Sequence, residues 1–96
     1  MISILFVCTG NRCRSPLAEV LARREWGAFA GAIELSSAGL HASPGGEASP
    51  HARQVALEND LELESHRAHS LDATELEGAE LVLTMGAAHK AEILRR

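Results

Sequence analysis

An α/β fold, with a parallel sheet sandwiched between helices in three layers, is what this sequence predicts on three observations. Three short runs, Ile2–Val7, Ile33–Ser37 and Glu80–Met85, are apolar or alternating as strands are. Each is followed by a segment with helix-start signals or helix-forming composition, giving the order β-α-β-α-(α)-β-α. Strands separated by helices pair in parallel through right-handed crossovers. At 96 residues and 46% hydrophobic content, residues 1–96 make one globular domain.

The first run, Ile2-Ser3-Ile4-Leu5-Phe6-Val7, is nearly continuous in its hydrophobicity and predicts a strand buried on both faces. Pro16–Trp26 predicts a helix with proline at its first position, and Gly27 to Gly31 mark a break. Ile33-Glu34-Leu35-Ser36-Ser37 alternates and predicts the second strand. Ala38–Glu47 reads as a loop, turning at Ser43-Pro44-Gly45-Gly46. Ser49 caps and Pro50 opens the next helix, whose inner face of Ala52, Val55, Ala56 and Asn59 is small. Leu61–Leu63 leads into Ser65-His66-Arg67-Ala68. Asp72 then caps a short helix that Leu71 and Leu76 staple. Glu80–Met85 is the third strand, and Ala87–Arg96 is helix-forming to its last residue.

The chemistry is concentrated between the first strand and the first helix, at Cys8-Thr9-Gly10-Asn11-Arg12-Cys13-Arg14-Ser15-Pro16. A strand end, a short polar loop and a helix N-terminus turn backbone N–H groups toward one point. Such a cradle suits a phosphate dianion and is helped by the helix dipole. Thr9, Gly10, Asn11, Arg12, Cys13 and Ser15 are the candidate phosphate-binding residues. Cys8, at the strand end, and Arg14, six positions on, are the candidate catalytic pair. The N–H groups and Arg14 favour the thiolate, the form that attacks phosphorus to give a phosphocysteine. Arg14 presents a planar fork to two phosphate oxygens and gathers charge in the transition state. Gly10 permits a turn, or a close approach to the ligand, that a Cβ would hinder. Ser15 can hydrogen-bond the sulfur, and the Asn11 amide can brace the loop. In open α/β sheets, ligands sit beyond the carboxyl ends of the strands, where this loop lies.

Other classes are excluded or weakened. The formal net charge of −4 and the lack of a basic stripe argue against a nucleic-acid partner. No apolar run approaches a membrane span and no signal peptide opens the chain, so a cytoplasmic location is expected. Two cysteines, Cys8 and Cys13, make no disulfide framework, and the five histidines do not fall at zinc-finger spacing. No metal and no cofactor are implied.

Val7-Cys8-Thr9-Gly10-Asn11 followed by Cys13-Arg14-Ser15-Pro16, at the end of a first strand, resembles the low-molecular-weight protein tyrosine phosphatases. Ser37-Ala38-Gly39, Ser65-His66-Arg67-Ala68 and Leu81-Val82-Leu83-Thr84-Met85 resemble that family's later landmarks. The resemblance implies a phosphatase-I-like three-layer fold, with three of the family's four strands present. It implies a protein phosphatase acting on phosphotyrosine or phosphoarginine through a phosphocysteine on Cys8. The partner implied is a phosphorylated protein, with inorganic phosphate or another oxyanion as inhibitor. Ser37 matches a serine that steadies the loop asparagine, and His66 a histidine that braces the loop. Read from the residues alone, these are a turn serine and a surface histidine. In the family the second cysteine can form a reversible disulfide with the nucleophile; the alternative is that Cys13 packs beneath the loop.

Ala38-Gly39-Leu40-His41-Ala42-Ser43-Pro44-Gly45-Gly46 most resembles the protein arginine phosphatases, since no tryptophan or tyrosine stands there. Arg12 cuts the other way, because a cation beside the pocket repels a phosphoarginine guanidinium; the alternative is a solvated arginine at the loop tip. The family's general acid is the aspartate of an Asp-Pro pair well downstream, and this sequence contains no Asp-Pro. Its only aspartates are Asp60 and Asp72, so the 96 residues correspond to roughly the first two-thirds of the family's domain. Three consequences are expected: a C-terminally shortened domain, an exposed edge on the third strand, and self-association through it. The alternative function is a phosphate-binding or regulatory remnant without efficient turnover. A thiol-based arsenate reductase, which shares the fold, would need further cysteines.

Overall fold

Strand β1 (Ile2–Cys8) runs through the middle of the sheet and carries the thiol at its C-terminal end. The computed structural model describes residues 2–27 and 31–94. In chain order the remaining elements are α1 (Arg14–Glu25), β2 (Ile33–Gly39), α2 (Pro50–Glu58), α3 (Ala73–Gly78), β3 (Leu81–Thr84) and α4 (Ala87–Leu94). The sheet order is β2-β1-β3, and both pairings are parallel. The register sets Phe6 opposite Ser37, Cys8 opposite Gly39, and Val7 opposite Thr84.

Alternation along β1 divides the core into layers. Ile4 and Phe6 point to one face and pack with Ala18 and Ala22 of α1 and with Leu35 and Leu83 of the neighbouring strands. Leu5 and Val7 point to the other, against Ala38, Leu40 and Leu71, with Leu76 of α3 and Ile93 of α4 beside them. A third cluster, outside the sheet, joins α2 to α1 through Ala48, Ala52, Ala56 and Leu63 against Cys13, Leu17 and Val20. Small alanines on α2 let the two helices approach closely. The result is the expected three-layer α/β sandwich, and β1 is buried from Ile4 to Cys8, with Ile2 exposed at its start. Among the described residues, no helix is long and apolar enough to cross a membrane.

Several boundaries differ from expectation, each for a physical reason. α1 opens at Arg14 rather than Pro16, with Cys13 as its N-cap and proline third in the helix. The first-turn N–H groups have no intrahelical acceptor, so a proline costs no bond there either. β2 continues through Ala38 and Gly39, because β1 offers Val7 and Cys8 as partners. β3 is shorter than its apolar run, and single bonds from the Glu80 and Met85 N–H groups to Ser3 and Val7 flank it. Asn59 does not join the inner face of α2; it ends the helix, exposed, with its amide donating to the Val55 carbonyl. Ser49 caps α2 as expected, with Pro50 first. Asp72 caps α3 in a reciprocal capping box with Glu75, and Leu76 packs against the cluster that holds Leu71. Part of the break at Gly27–Gly31 and the last two residues of the final helix lie outside the described residues.

The core assignment predicts that Leu5→Ala, at a side chain 1% exposed between two strands, costs about 2–5 kcal/mol. Ile2→Ala on the same strand, at a position 51% exposed, should cost well under half of that. Urea unfolding of both variants measures the difference.

Candidate active site

β1 delivers Cys8 to the C-terminal end of the sheet, and the chain must then reverse within a few residues to begin α1. That reversal is made at Asn11, which has φ 54° and is fully buried. Asparagine enters this left-handed region more readily than most side chains. Every polar group of Asn11 is used. Its backbone N–H donates to Cys8 Sγ at 3.3 Å. Its Nδ2 donates to Ser15 Oγ at 2.9 Å and to Ser37 Oγ at 3.0 Å. Its Oδ1 accepts from the His69 backbone N–H at 3.1 Å, and its carbonyl accepts from His66 Nε2 at 2.6 Å. The amide orientation follows from His69, whose backbone N–H can only donate.

The thiol is 3% exposed, and Sγ lies 3.0 Å from Ser15 Oγ. Because Ser15 Oγ already accepts from Asn11, its own proton is available to the sulfur. Cys8 Sγ thus accepts from the Asn11 N–H and lies within hydrogen-bond distance of the Ser15 hydroxyl. The N-terminus of α1, starting at Arg14, adds its dipole from the same side.

The other expected residues are placed as follows. Arg14 is exposed, and its Nη1 donates across 3.4 Å to the Met85 carbonyl just beyond β3. Arg12 is tied sideways: its Nε donates to the Glu47 carbonyl at 2.6 Å, and its own carbonyl accepts from Ser49 N–H at 2.7 Å. The Thr9 carbonyl accepts from His41 N–H at 2.9 Å. Cys13 is half-buried against the α1–α2 cluster, and both cysteines are free thiols. Ser37 and His66 both touch Asn11. His41, although close in sequence to the loop wall, turns its ring to Glu92 at 3.1 Å.

At Gly10 the φ is not positive and a Cβ would meet no atom of the chain within 4 Å, so the chain's own packing does not require glycine there. The glycine that packing does require is Gly39, where a Cβ would lie 2.8 Å from the Thr9 carbonyl oxygen and 3.0 Å from the Asn11 nitrogen. The loop rests directly on the end of β2, and only a residue without a side chain leaves room for it. Sequence reasoning also missed His69, which acts through its backbone and so leaves no side-chain signal. It missed His89, whose Nε2 lies 2.8 Å from Thr9 Oγ1. The position of His89 just past the third strand, on the ligand side of a parallel sheet, was the available clue.

A groove of about 360 Å³ lies behind this brace, lined by Ser37, His66 and His69 along with α1 residues such as Glu19 and Arg23. Neither Cys8 nor Arg14 lines it, so it backs the site rather than forming its mouth. Among the described residues, no group of three or more His, Cys, Asp or Glu side chains could hold a metal ion.

The brace predicts a graded series. Ser37→Ala removes one bond and should cost about 1 kcal/mol. Asn11→Ala removes three side-chain bonds, strands buried partners and leaves alanine at positive φ, so it should cost about 3 kcal/mol or more. Chemical denaturation of the two variants beside the wild-type chain checks the ratio.

Comparison with known proteins agrees with this geometry. The family model described as low molecular weight phosphotyrosine protein phosphatase matches residues 3–96. A protein-arginine-phosphatase of Geobacillus stearothermophilus is 42% identical over 93 residues, covering 97% of this chain and 60% of the relative. The low molecular weight protein-tyrosine-phosphatase Wzb of Salmonella typhi is 43% identical over 90 residues, covering 94% of this chain and 58% of the relative. The crystal structure of a low molecular weight protein tyrosine phosphatase from T. tengcongensis superposes with a TM-score of 0.91 at 40% identity, covering 100% of this chain and 66% of that one. The chain thus spans about three-fifths of the length of the curated relatives it matches. With a family match across nearly every residue and a thiol loop built as described, the chain belongs to the low molecular weight phosphotyrosine protein phosphatase family.

Proposed function

We propose that this chain carries the nucleophilic half of a protein phosphatase reaction, with Cys8 as nucleophile and Arg14 as phosphate ligand. The observation that supports it most directly is the buried Cys8 sulfur, held by the Asn11 N–H and the Ser15 hydroxyl at the mouth of a helix N-terminus. The Cys8 thiolate attacks phosphorus. An S–P bond forms as the P–O bond of a phosphotyrosine, or the P–N bond of a phosphoarginine, breaks. The leaving group keeps the bonding pair and takes its proton from solvent water. Water then attacks the phosphocysteine, the S–P bond breaks, and Ser15 donates to the departing sulfur as phosphate leaves. Thr9 to Ser15 supply the N–H groups around the phosphate, and inorganic phosphate competes for them. Arg14 swings from the weak, exposed contact with Met85 O to the phosphate oxygens. Two free thiols suit a reducing cytoplasm.

Similarity does not separate the substrates, since arginine- and tyrosine-directed relatives are equally near. The segment from Ala38 to Gly46 has no tryptophan or tyrosine, which favours phosphoarginine, while its Leu40 is buried in the core and its His41 ring turns to Glu92. Arg12 no longer argues strongly against it, because its guanidinium is drawn to the Glu47 carbonyl.

A second reading, an oxyanion binder that turns over slowly, has its own support. Asp72 is engaged as the cap of α3, and Asp60 is exposed in the left-handed turn after α2. Neither is hydrogen-bonded into the thiol cluster, so no aspartate of these 96 residues is set to protonate a leaving group. General acid catalysis is typically worth about 10²- to 10⁴-fold.

Two outcomes are expected. Alkylation of Cys8 by iodoacetamide should be suppressed by phosphate or vanadate; reaction indifferent to both would sink the reading. Across a series of substituted aryl phosphates, turnover by the 96-residue chain should fall steeply as the leaving group becomes more basic, and Cys8→Ser should abolish it. A nearly flat series would show that another residue, His41 first, donates the proton. Protection without turnover would favour the binder.

A further inference from the structure

α4 reaches the thiol loop through two side chains three residues apart on one face, His89 and Glu92. His89 Nε2 lies 2.8 Å from Thr9 Oγ1, and Glu92 Oε1 accepts from His41 Nε2 at 3.1 Å. His41 closes the ring, its backbone N–H donating to the Thr9 carbonyl at 2.9 Å. Thr9 is therefore held at its side chain from α4 and at its backbone from the segment after β2. His89 is 9% exposed, and among the described residues its buried Nδ1 has no hydrogen-bond partner. An orphaned buried nitrogen is a stability cost that an apolar side chain would not incur. Packing alone therefore does not account for histidine here; its one polar contact is with the residue next to the nucleophile.

We propose that His89 is a positioning residue for the oxyanion loop, acting through the Thr9 hydroxyl. The loop is anchored at Arg12 by Glu47 and Ser49 and, most heavily, at Asn11. Between Asn11 and Thr9 stands Gly10, with open space beside it and no side chain to anchor. The two peptide planes beside Gly10 are each held by one bond, from His41 N–H to the Thr9 carbonyl and from Asn11 N–H to Cys8 Sγ, and neither bond fixes the Thr9 side chain. His89 supplies that further hold at the Thr9 hydroxyl, 80 residues away in the chain. The inference rests on the reading of the loop as a phosphate cradle.

The test is the inorganic phosphate concentration that half-protects Cys8 from iodoacetamide, followed at the Cys8 peptide by mass spectrometry on the 96-residue chain. His89→Leu and Thr9→Val should each raise it about three- to tenfold, the worth of one hydrogen bond. The double variant should be no worse than either single one. His89→Gln, whose amide nitrogen can reach Thr9 Oγ1, should stay within about twofold of wild type. Thermal melting of His89→Leu should not fall in parallel, because the substitution also removes the orphaned nitrogen. Thr9 is exposed, so Thr9→Val carries the test even where His89→Leu does not fold. Protection of the wild-type chain with Thr9→Val unchanged overturns this inference alone. No protection of the wild-type chain overturns the phosphate reading, and this inference with it.

Discussion

Burying an asparagine in the left-handed region costs free energy twice, once for the backbone and once for taking a polar side chain out of water. At Asn11 both costs are met by partners drawn from the whole sheet and its connections: Ser37 from β2, His66 and His69 from the segment before α3, and Ser15 from α1. Those bonds force the N–H of Asn11 back toward Cys8 Sγ rather than outward. The environment of the Cys8 thiol is thus set mainly by where one asparagine is held. Ser15 serves both ends of this arrangement, accepting from the amide and donating to the sulfur.

The sheet makes the arrangement possible by register. Parallel pairing places Gly39 level with Cys8, so the end of β2 lies under the loop and must carry no Cβ. Phe6 pairs with Ser37 on the same strand, which brings the serine hydroxyl to the amide it supports. A shift of one residue in this pairing would turn Ser37 to the other face and move Gly39 out from under the loop. The apolar clusters on either side of β1 are what hold that register.

Much of this was legible in the sequence, and the unread part has a common cause. The nearly continuous apolar run before Cys8 announced a buried strand, and Asp72 and Ser49 announced helix starts, because those signals are local. The cysteine and arginine spacing announced an anion loop for the same reason. Resemblance, rather than spacing, pointed to Ser37 and His66, which the structure places against Asn11. His69 escaped because it works through its peptide N–H. His89 escaped because its partner lies at the opposite end of the chain. Gly39 escaped because a loop glycine such as Gly10 attracts notice and a strand-end glycine does not. The start of α1 was set two residues late by treating proline as a marker of the first helical position alone.

The partners of the thiol loop also set the order in which it can take shape. Its hydrogen bonds close intervals of 26, 55, 58 and 80 residues. Contacts that close such long intervals form slowly, because the chain entropy is lost before the contact rewards it. During synthesis from the N-terminus, Cys8 is among the first residues made, yet Asn11 has its full set of partners only once His69 has been added. Until then the loop is a glycine-containing segment at the end of an apolar strand, with a free thiol and no fixed geometry. The thiol is made early and its surroundings are shaped late, so a nascent or locally unfolded chain carries Cys8 without the hydrogen bonds of the folded loop.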